Sequence, residues 1–278
     1  MKNMRRQTGL SKLIHTLAAA LLASMACATA AAGCPRKDAL NTARVLAVDA
    51  TTTPRVGLKS FPQTLPLGDH EVVLTFDDGP WPPTTRRVLA ALARECVRAT
   101  FFLIGKSASA HPDLVRRIAA EGHSIGHHTW SHPSLARIPP EQAVEQINRG
   151  IAADEMALHG VATTTPSTPF FRFPGFESTP ATLDLLQSRG IVVFGADLWA
   201  SDWDPMTPKQ ELKLITDRLE NAHKGIILLH DSKARTAAML PAFLRYLRDH
   251  HYRVVHLVSA APGARAGLTP KPANKSPN

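Results

Sequence analysis

Cysteines are scarce in this chain, and so are basic clusters, which excludes two common classes of site. Three cysteines occur in 278 residues and none forms a C-x-x-C pair, so a structural zinc site built on thiolates is not expected. The formal charge of +9 falls to +2 when residues 1–32 and 258–278, with four and three basic residues and no acidic one, are set aside. Because no basic cluster interleaved with aromatic residues remains, we expect no nucleic-acid partner.

Long apolar runs are also absent, apart from one near the start. Residues Leu13 to Ala32 contain no Asp, Glu, Lys or Arg and follow four basic residues, which is typical of a secretory signal peptide. We predict a signal peptide over 1–32, with Ala28-Thr29-Ala30 as an A-x-A cleavage site. The protein is then exported, periplasmic or secreted, with no stable membrane span after cleavage. A membrane anchor is disfavoured because Ala and Thr make the run weakly hydrophobic, and lipid attachment at Cys34 because the usual Leu is missing.

The rest of the chain divides by composition into three parts. Residues 71–257 suit one domain with a single core, and residues 33–70 form an N-terminal extension that we expect to pack along its outside. Residues 258–278 are rich in Pro, Ala, Gly and Lys and predict a disordered basic tail. Cys34 and Cys96 can form one disulfide in an exported protein, although their spacing does not require it.

Short apolar runs alternate with amphipathic ones after Glu71. The predicted strands are Val72–Asp77, Ala99–Ile104, Ser124–His127, Phe170–Phe173, Ile191–Ala196, Gly225–His230 and Tyr252–Leu257. The predicted helices are Thr84–Glu95, Asp113–Glu121, Glu141–Leu158, Ala181–Arg189, Pro208–Asn221 and Ala234–Asp249. This alternation indicates an α/β fold with a parallel sheet, and about seven repeats favour a closed or nearly closed barrel over an open sheet.

In such barrels the chemical groups lie at the C-terminal ends of the strands. The polar side chains found at or just after these ends are Asp77, Asp78, His128, His132, Arg172, Asp197, Asp202, His230 and Asp231. Carboxylates, histidines and an arginine thus converge from separate stretches of the chain. This convergence favours a catalytic site over the alternative that Asp77-Asp78-Gly79-Pro80 is an ordinary solvated turn.

Two of these stretches together predict a metal site. His128 and His132 are four residues apart, a spacing that would place both imidazoles on one side of a helical turn. With one carboxylate they would surround a divalent cation and leave a position open for water, which is the catalytic arrangement. The segment lacks the glutamate of H-E-x-x-H, so the base must come from elsewhere, and one of the paired aspartates can supply it.

Five motifs carry a family resemblance. They are TFDDGP (75–80), HTWSH (128–132), RFPG (172–175), DW (202–203) and LLHD (228–231). In order and spacing they resemble the polysaccharide deacetylases, the NodB-like carbohydrate esterases of family 4, over about residues 70–257. The resemblance implies a single-domain, distorted (β/α)7 barrel and a metal-dependent hydrolase of acetylated sugars, most often polymers of N-acetylglucosamine.

The resemblance also implies roles for the reacting groups. The metal ligands would be Asp78, His128 and His132. Asp77 would be the general base that takes a proton from water at the metal, and Arg172 would keep Asp77 ionised and oriented. The metal is expected to be zinc, although a site of two histidines and one aspartate also accepts cobalt or nickel.

The remaining roles concern the leaving group and the substrate. His230 would donate a proton to the departing amine, with Asp202 orienting its ring. The backbone N–H of Gly175 would bind the oxyanion. The expected substrate-binding residues are Gly175, Phe176, Trp203 and Leu228.

The sequence departs from the family pattern at three positions, one of which is Trp199, where relatives often have Asp. Many members have an aromatic residue where this chain has Gly175, and here the aromatic Phe176 follows one place later. The residue before the first metal histidine is often Asn and here is His127, which we interpret as a residue supporting the site rather than a ligand.

Several alternatives stay open at this stage. The expected partner is an acetylated amino-sugar chain, of the chitin-oligosaccharide or peptidoglycan type, and a surface polysaccharide or an acetylated xylan is also compatible. A non-catalytic carbohydrate-binding relative or a small-amide hydrolase of the same fold are the rival functions. A serine hydrolase is disfavoured because no G-x-S-x-G lies between a strand and a helix. The oligomeric state is not indicated.

Overall fold

The computed structural model describes residue 34 and residues 36–260, so the predicted signal peptide and most of the predicted tail lie outside the described residues. Ten strands are present in this part of the chain, the part that the structure describes, and every paired strand runs parallel to its neighbour. They are β1 Thr42–Val48, β2 Arg55–Val56, β3 Glu71–Asp77, β4 Thr100–Leu103, β5 Ser124–His127, β6 Phe170–Phe171, β7 Val192–Phe194, β8 Leu198–Trp199, β9 Gly225–His230 and β10 Arg253–Ser259.

Among the described residues, seven α-helices connect or flank these strands. They are α1 Pro82–Arg94, α2 Gly105–Ala110, α3 Pro112–Ala120, α4 Pro140–His159, α5 Pro180–Ser188, α6 Pro208–Ala222 and α7 Ala234–Asp249. Most begin with proline at the first turn, where its missing N–H costs nothing. Every strand and helix predicted from the sequence is present within a few residues, and β1, β2, β8 and α2 were not predicted.

Strands β3 to β9 form the barrel wall. Their order is β8-β9-β3-β4-β5-β6-β7, and no hydrogen-bonded ladder joins β7 to β8 among the described residues. The fold is therefore the expected α/β, distorted (β/α)7 barrel, open on one side. The predicted strand Tyr252–Leu257 is present as β10, which lies between β1 and β3, and the short β8 is the seventh wall strand.

The N-terminal extension contributes more than an outer layer. Strand β1 pairs with β10 along six register positions, and β2 pairs with β7 beside the opening of the barrel. The extension was expected to pack along the outside of the barrel, and two of its segments also pair with strands of the sheet. The tail boundary also shifts, because Val258 and Ser259 pair with β1 as the last residues of β10.

Alternation along β3 decides which of its side chains reach the barrel interior. Successive strand residues point to opposite faces, and β3 is buried on both. Val72, Leu74 and Phe76 pack in the core cluster that includes residues of α1 and α7, whereas Val73 packs in the cluster that includes Phe102 of β4. Asp77 is four residues after Val73, so its side chain points to the same face of the strand. Its carboxylate therefore lies on the interior face at the C-terminal end of the barrel.

A disulfide ties the N-terminal extension to the barrel. Cys34 and Cys96 are joined with their Cα atoms 5.7 Å apart, and Cys96 follows the end of α1. A sulfur in a disulfide cannot also carry a thioether-linked lipid, so this bond disfavours lipid attachment at Cys34. Within the described part of the chain, no helix combines the length and the apolar character needed to cross a bilayer.

Candidate active site

The C-terminal ends of the barrel strands surround a pocket of about 440 Å³. Nine of the eleven predicted site residues line it: Asp77, Asp78, His128, His132, Gly175, Phe176, Trp203, Leu228 and His230. The other two, Arg172 and Asp202, are fully buried and contact lining residues from behind. The structure therefore brings all the predicted residues to one place.

Asp77 and Arg172 form a buried ion pair at the base of the pocket. Nη1 of Arg172 donates to Oδ1 of Asp77 at 2.7 Å and to the hydroxyl of Thr75 at 2.8 Å. The guanidinium also donates to two carbonyl oxygens at the end of β7, so it is held on several sides. Burial raises the pKa of Asp77, and the charge of Arg172 opposes that rise. The second oxygen, Oδ2, remains directed toward Nε2 of His128 at 3.9 Å.

Asp78, His128 and His132 form a set of three potential metal ligands. Their ligand atoms all lie within 4.8 Å of one another. Oδ1 of Asp78 is 3.4 Å from Nε2 of His132 and 3.7 Å from Nε2 of His128, and it is buried without a hydrogen-bond partner. A buried carboxylate oxygen facing two imidazole nitrogens fits a divalent cation of the zinc class.

The tautomer of His128 suits a ligand. Its Nδ1 lies 2.7 Å from the carbonyl oxygen of Arg172, to which it can only donate, so Nε2 carries the lone pair that faces Asp78. Burial lowers the pKa of His128 to about 3, which keeps the ring neutral. The backbone of Arg172 thus orients a ligand while its side chain orients Asp77.

The segment that carries the two histidines is not helical. Residues 128–132 form an irregular loop, so the prediction of a helical turn was wrong. Thr129 and His132 have left-handed φ values of 67° and 62°, and His132 N–H donates to the hydroxyl of Thr129 at 3.0 Å. These conformations turn the ring of His132 onto that of His128, with centroids 4.9 Å apart. Strained backbone of this kind is found at functional sites.

His127 supports the site from outside the barrel, as interpreted from the sequence. Strand alternation points it away from the interior, toward α4, where Nδ1 lies 2.7 Å from Oδ2 of Asp154. Both side chains are buried. His127 is not among the three grouped ligands.

The turn after Asp78 is packed too tightly for any residue but glycine. A Cβ on Gly79 would collide with the carboxylate of Asp231, which accepts a hydrogen bond from the hydroxyl of Thr85 at the start of α1. Burial raises the pKa of Asp231 to about 7. Asp78 itself has a left-handed φ of 75°, which directs its side chain away from the strand and over the pocket.

His230 is held by a chain of buried groups that starts in the helices. Nδ1 of His230 lies 2.7 Å from Oδ1 of Asp202, whose Oδ2 accepts from the hydroxyl of Thr236 at 2.7 Å. That hydroxyl lies 3.0 Å from Oε1 of Glu211. Burial, reinforced by the charge of Asp202, raises the pKa of Glu211 to about 7.

The charge state of His230 follows from this chain. Burial lowers its pKa, but the hydrogen bond and charge of Asp202, with the charges of Asp77 and Asp78, outweigh burial and raise it to about 9. Nε2 of His230 faces the pocket, 3.9 Å from Oδ2 of Asp78. A protonated imidazole at this position can donate a proton to a bound molecule.

The predicted substrate-binding residues form two walls of the pocket. Gly175 and Phe176 lie on one wall in a 3₁₀ turn, with left-handed φ values of 59° and 61°. No hydrogen bond from the Gly175 N–H to a protein acceptor occurs within the described residues, so this donor is available. Trp203 stands edge-on to His230 with ring centroids 5.9 Å apart, and Leu228 is buried on the inner face of β9.

Sequence reasoning missed several members of the site. The further pocket residues are Lys59, Phe173, Trp199 and Lys233, and the unpredicted buried supports are Thr236 and Glu211. The alternation of side chains along β9 places His230 on the inner face, and Lys233 follows it by only three residues. This short spacing could have indicated that Lys233 also reaches the pocket. Lys59 lies in an irregular stretch whose sequence carries no such signal.

Comparison with known proteins identifies relatives of this site. A family model described as polysaccharide deacetylase matches residues 65–194. A chitooligosaccharide deacetylase from a Bradyrhizobium species is 45% identical over 165 residues, which are 59% of this chain and 72% of the relative. A peptidoglycan-N-acetylglucosamine deacetylase from Bacillus cereus is 34% identical over 60% of this chain, which spans 58% of that longer relative.

Structural comparison leads to the same group. A peptidoglycan deacetylase from Bdellovibrio bacteriovorus superposes with a TM-score of 0.70 at 29% identity, covering 81% of this chain and 61% of that one. The motifs, the barrel and these relatives agree. The chain belongs to the polysaccharide deacetylase family.

Proposed function

We propose that this protein is an exported, metal-dependent polysaccharide deacetylase. It hydrolyses the acetamide of N-acetylglucosamine-containing oligo- or polysaccharides and releases acetate. The observation that carries the proposal is the meeting, in one pocket, of a buried aspartate, a three-ligand set and a histidine with a raised pKa. These are the parts that a hydrolysis with general base and general acid needs.

The metal in this proposal is held by Asp78, His128 and His132. A divalent cation there, zinc or alternatively cobalt or nickel, supplies Lewis-acid chemistry for an amide carbonyl and for water. The partnerless Oδ1 of Asp78 and the Nε2 lone pair of His128 are the atoms available to it.

Asp77 acts as the general base. Its Oδ1 is occupied by Arg172 and its Oδ2 faces the ligand set, so one oxygen positions the carboxylate and the other takes the proton from the attacking water. Burial of Asp77 raises its pKa, which increases the affinity of the carboxylate for that proton. Arg172 keeps the group ionised in spite of burial.

His230 acts as the general acid, and the walls hold the acetamide. With a pKa of about 9, His230 is protonated at neutral pH and can give its Nε2 proton to the departing amine nitrogen. The N–H of Gly175 stabilises the oxyanion of the tetrahedral intermediate. Trp203, Leu228 and Phe176 provide apolar surface for the acetyl methyl and the sugar face.

Separate observations support the proposed amino-sugar substrate and the proposed export of the protein. The two relatives above are named as deacetylases of chitooligosaccharide and of peptidoglycan N-acetylglucosamine. The disulfide between Cys34 and Cys96 suits an oxidising compartment, in agreement with the predicted signal peptide over 1–32. A purely binding relative has no need for the Asp77–Arg172 and His230–Asp202 pairs, so these pairs favour an enzyme.

The test is acetate release from N-acetylglucosamine oligomers and from peptidoglycan by the protein without residues 1–32. We compare the wild type, Asp77→Asn, and the exposed control Asp113→Asn on α3, each with and without chelator. Activity that chelator and Asp77→Asn abolish but Asp113→Asn retains supports the proposal. A folded protein that binds one equivalent of zinc yet releases no acetate from any of these substrates would leave the non-catalytic binding role; release from small amides alone would favour the small-amide hydrolase.

A further inference from the structure

A segment of the N-terminal extension fills the open side of the barrel. Residues 57–64 lie against the short link between β7 and β8, where no ladder closes the wall. The carboxylate of Asp197 in that link anchors the segment at two points. Its Oδ1 accepts from the N–H of Leu58 at 2.8 Å, and its Oδ2 accepts from the hydroxyl of Thr64 at 2.7 Å. The segment is therefore part of the wall and not a loose loop.

The approach is close enough to fix the position of the next side chains. Gly57 has a φ of 108°, and a Cβ placed on it would lie 2.5 Å from the carbonyl carbon of Gly195. Only glycine permits this contact. The N–H of Lys59 then donates to the carbonyl of Ala196 at 2.8 Å. The backbone of Lys59 is thus held at the pocket rim by the barrel itself.

Lys59 directs its charge into the pocket. Its Nζ lies 4.7 Å from the ring centre of Trp199, and both residues line the pocket. Residue 59 lies outside the stretch of 65–194 that matches the family model. Lys59 belongs to the N-terminal extension rather than to the stretch that carries the five motifs.

Lys233 brings a second cation to the same pocket. It is the third residue after His230, directly before α7, and it is half-buried. Within the described residues neither Lys59 nor Lys233 forms an ion pair. The two carboxylates of the lining, Asp77 and Asp78, face Arg172 and the two histidine ligands instead. The outer pocket thus presents positive charge that no side chain of the described protein neutralises.

We propose that Lys59 and Lys233 bind carboxylates of the substrate, so that the preferred substrate is a carboxylate-bearing glycan strand of the peptidoglycan type. This proposal rests on the proposed function and narrows its substrate class. In such strands the sugars that alternate with N-acetylglucosamine carry lactyl carboxylates, free or extended by acidic peptides, whereas chitin oligosaccharides carry no charge. An ammonium group binds a carboxylate as a point charge and tolerates either source.

The experiment measures kcat/KM for acetate release on four substrates. They are an uncharged N-acetylglucosamine pentamer, peptide-free peptidoglycan strands, the same strands with their carboxylates amidated, and muropeptides that keep their peptides. The wild type is compared with Lys59→Gln, Lys233→Gln, the double variant, and the conservative pair Lys59→Arg and Lys233→Arg. Lys213→Gln on α6, which pairs with Asp217, is the matched control.

The expected result is expressed as the ratio of kcat/KM on peptide-free strands to kcat/KM on amidated strands. Wild type prefers peptide-free strands over amidated ones by about tenfold, mainly through KM, and the preference shrinks as salt screens the charges. Each Lys→Gln variant lowers the ratio about threefold and the double variant about tenfold, while the arginine variants and Lys213→Gln keep it. If only muropeptides are preferred, the carboxylates that the two lysines bind belong to the peptide, and this result also supports the proposal. The proposal would be overturned if the wild type used amidated strands, charged strands and muropeptides equally well, or if the double variant kept the wild-type preference for charged substrates. Failure of the deacetylase function itself would show separately, as no acetate from any substrate.

Discussion

Asp202 is joined to His230 twice. Its Oδ1 lies 2.7 Å from the ring Nδ1, and its Oδ2 accepts the backbone N–H of His230 at 2.8 Å. One carboxylate therefore sets both the orientation of the ring and the position of the backbone that carries it. The same contact is the main favourable source of the raised pKa of His230.

Replacing Asp202 by Asn is expected to slow acetate release and to move its pH dependence. His230 must be protonated to act as the acid, so activity in the wild type is retained below about pH 9 and lost above it. Without the negative charge the pKa of His230 falls, and the loss begins at lower pH. We expect kcat to fall about 100-fold, measured as a pH–rate profile. An alkaline limb that does not move would contradict the role of Asp202.

Thr236 is expected to act through Asp202 rather than on the substrate. Thr236→Val keeps the shape of the side chain but removes the hydroxyl that donates to Oδ2. Loss of a hydrogen bond to a charged group predicts a fall in kcat of about tenfold with little change in KM. Thr236→Ser keeps the hydroxyl and should restore the rate. If Ser and Val behave alike, the hydroxyl has no part in holding His230.

Glu211 should make stability depend on pH in a defined direction. Its pKa is about 7 in the folded protein against an ordinary value of 4.5, so the folded state holds the proton more tightly. The free energy of unfolding therefore falls as pH rises from about 4.5 to 7. Glu211→Gln removes this contribution, and its Tm relative to wild type should rise by about 10 °C between pH 4.5 and pH 8. Glu145→Gln, at an exposed position of α4, is the control, and a Tm difference independent of pH would refute the assignment.

The disulfide between Cys34 and Cys96 is expected to stabilise the fold without affecting the chemistry. The cysteines are 62 residues apart in sequence, and closing a loop of that length is worth about 4 kcal/mol. The double variant with Cys34→Ala and Cys96→Ala should lose about this much free energy of unfolding. It should therefore unfold at a lower denaturant concentration. Because Cys96 follows the end of α1 that points away from the pocket, kcat at 25 °C should be unchanged. A changed kcat would show that the extension couples to the site through this bond.

The parts of the fold that the sequence predicted share a physical cause. Strand β9 is an apolar run that begins just after a turn, and its bounds, like those of β5, were predicted without error. The reacting groups stand at the ends of those runs, so predicting the strand also located the group. For this reason the prediction that Asp77 and His230 stand at the ends of strands is confirmed.

The elements that were missed carry little local signal. Strand β8 has two residues and α2 reads GKSASA, which has no apolar face to bury. The loop at 128–132 was predicted as helical because spacing alone cannot distinguish a turn of helix from a loop with two left-handed residues. Lys59 reaches the pocket only because the barrel is open between β7 and β8, a tertiary fact that no sequence pattern expresses.

The anchoring of residues 57–64 by Asp197 has an evolutionary consequence. The groups proposed to break the amide bond come from β3 to β9 and their loops, whereas Lys59 comes from a piece of chain that precedes all of them. Mutations in this piece can alter which polymer is held without touching the groups that react with it. Proteins that descend from one ancestral barrel can in this way change their polysaccharide specificity through a few substitutions ahead of the catalytic motifs.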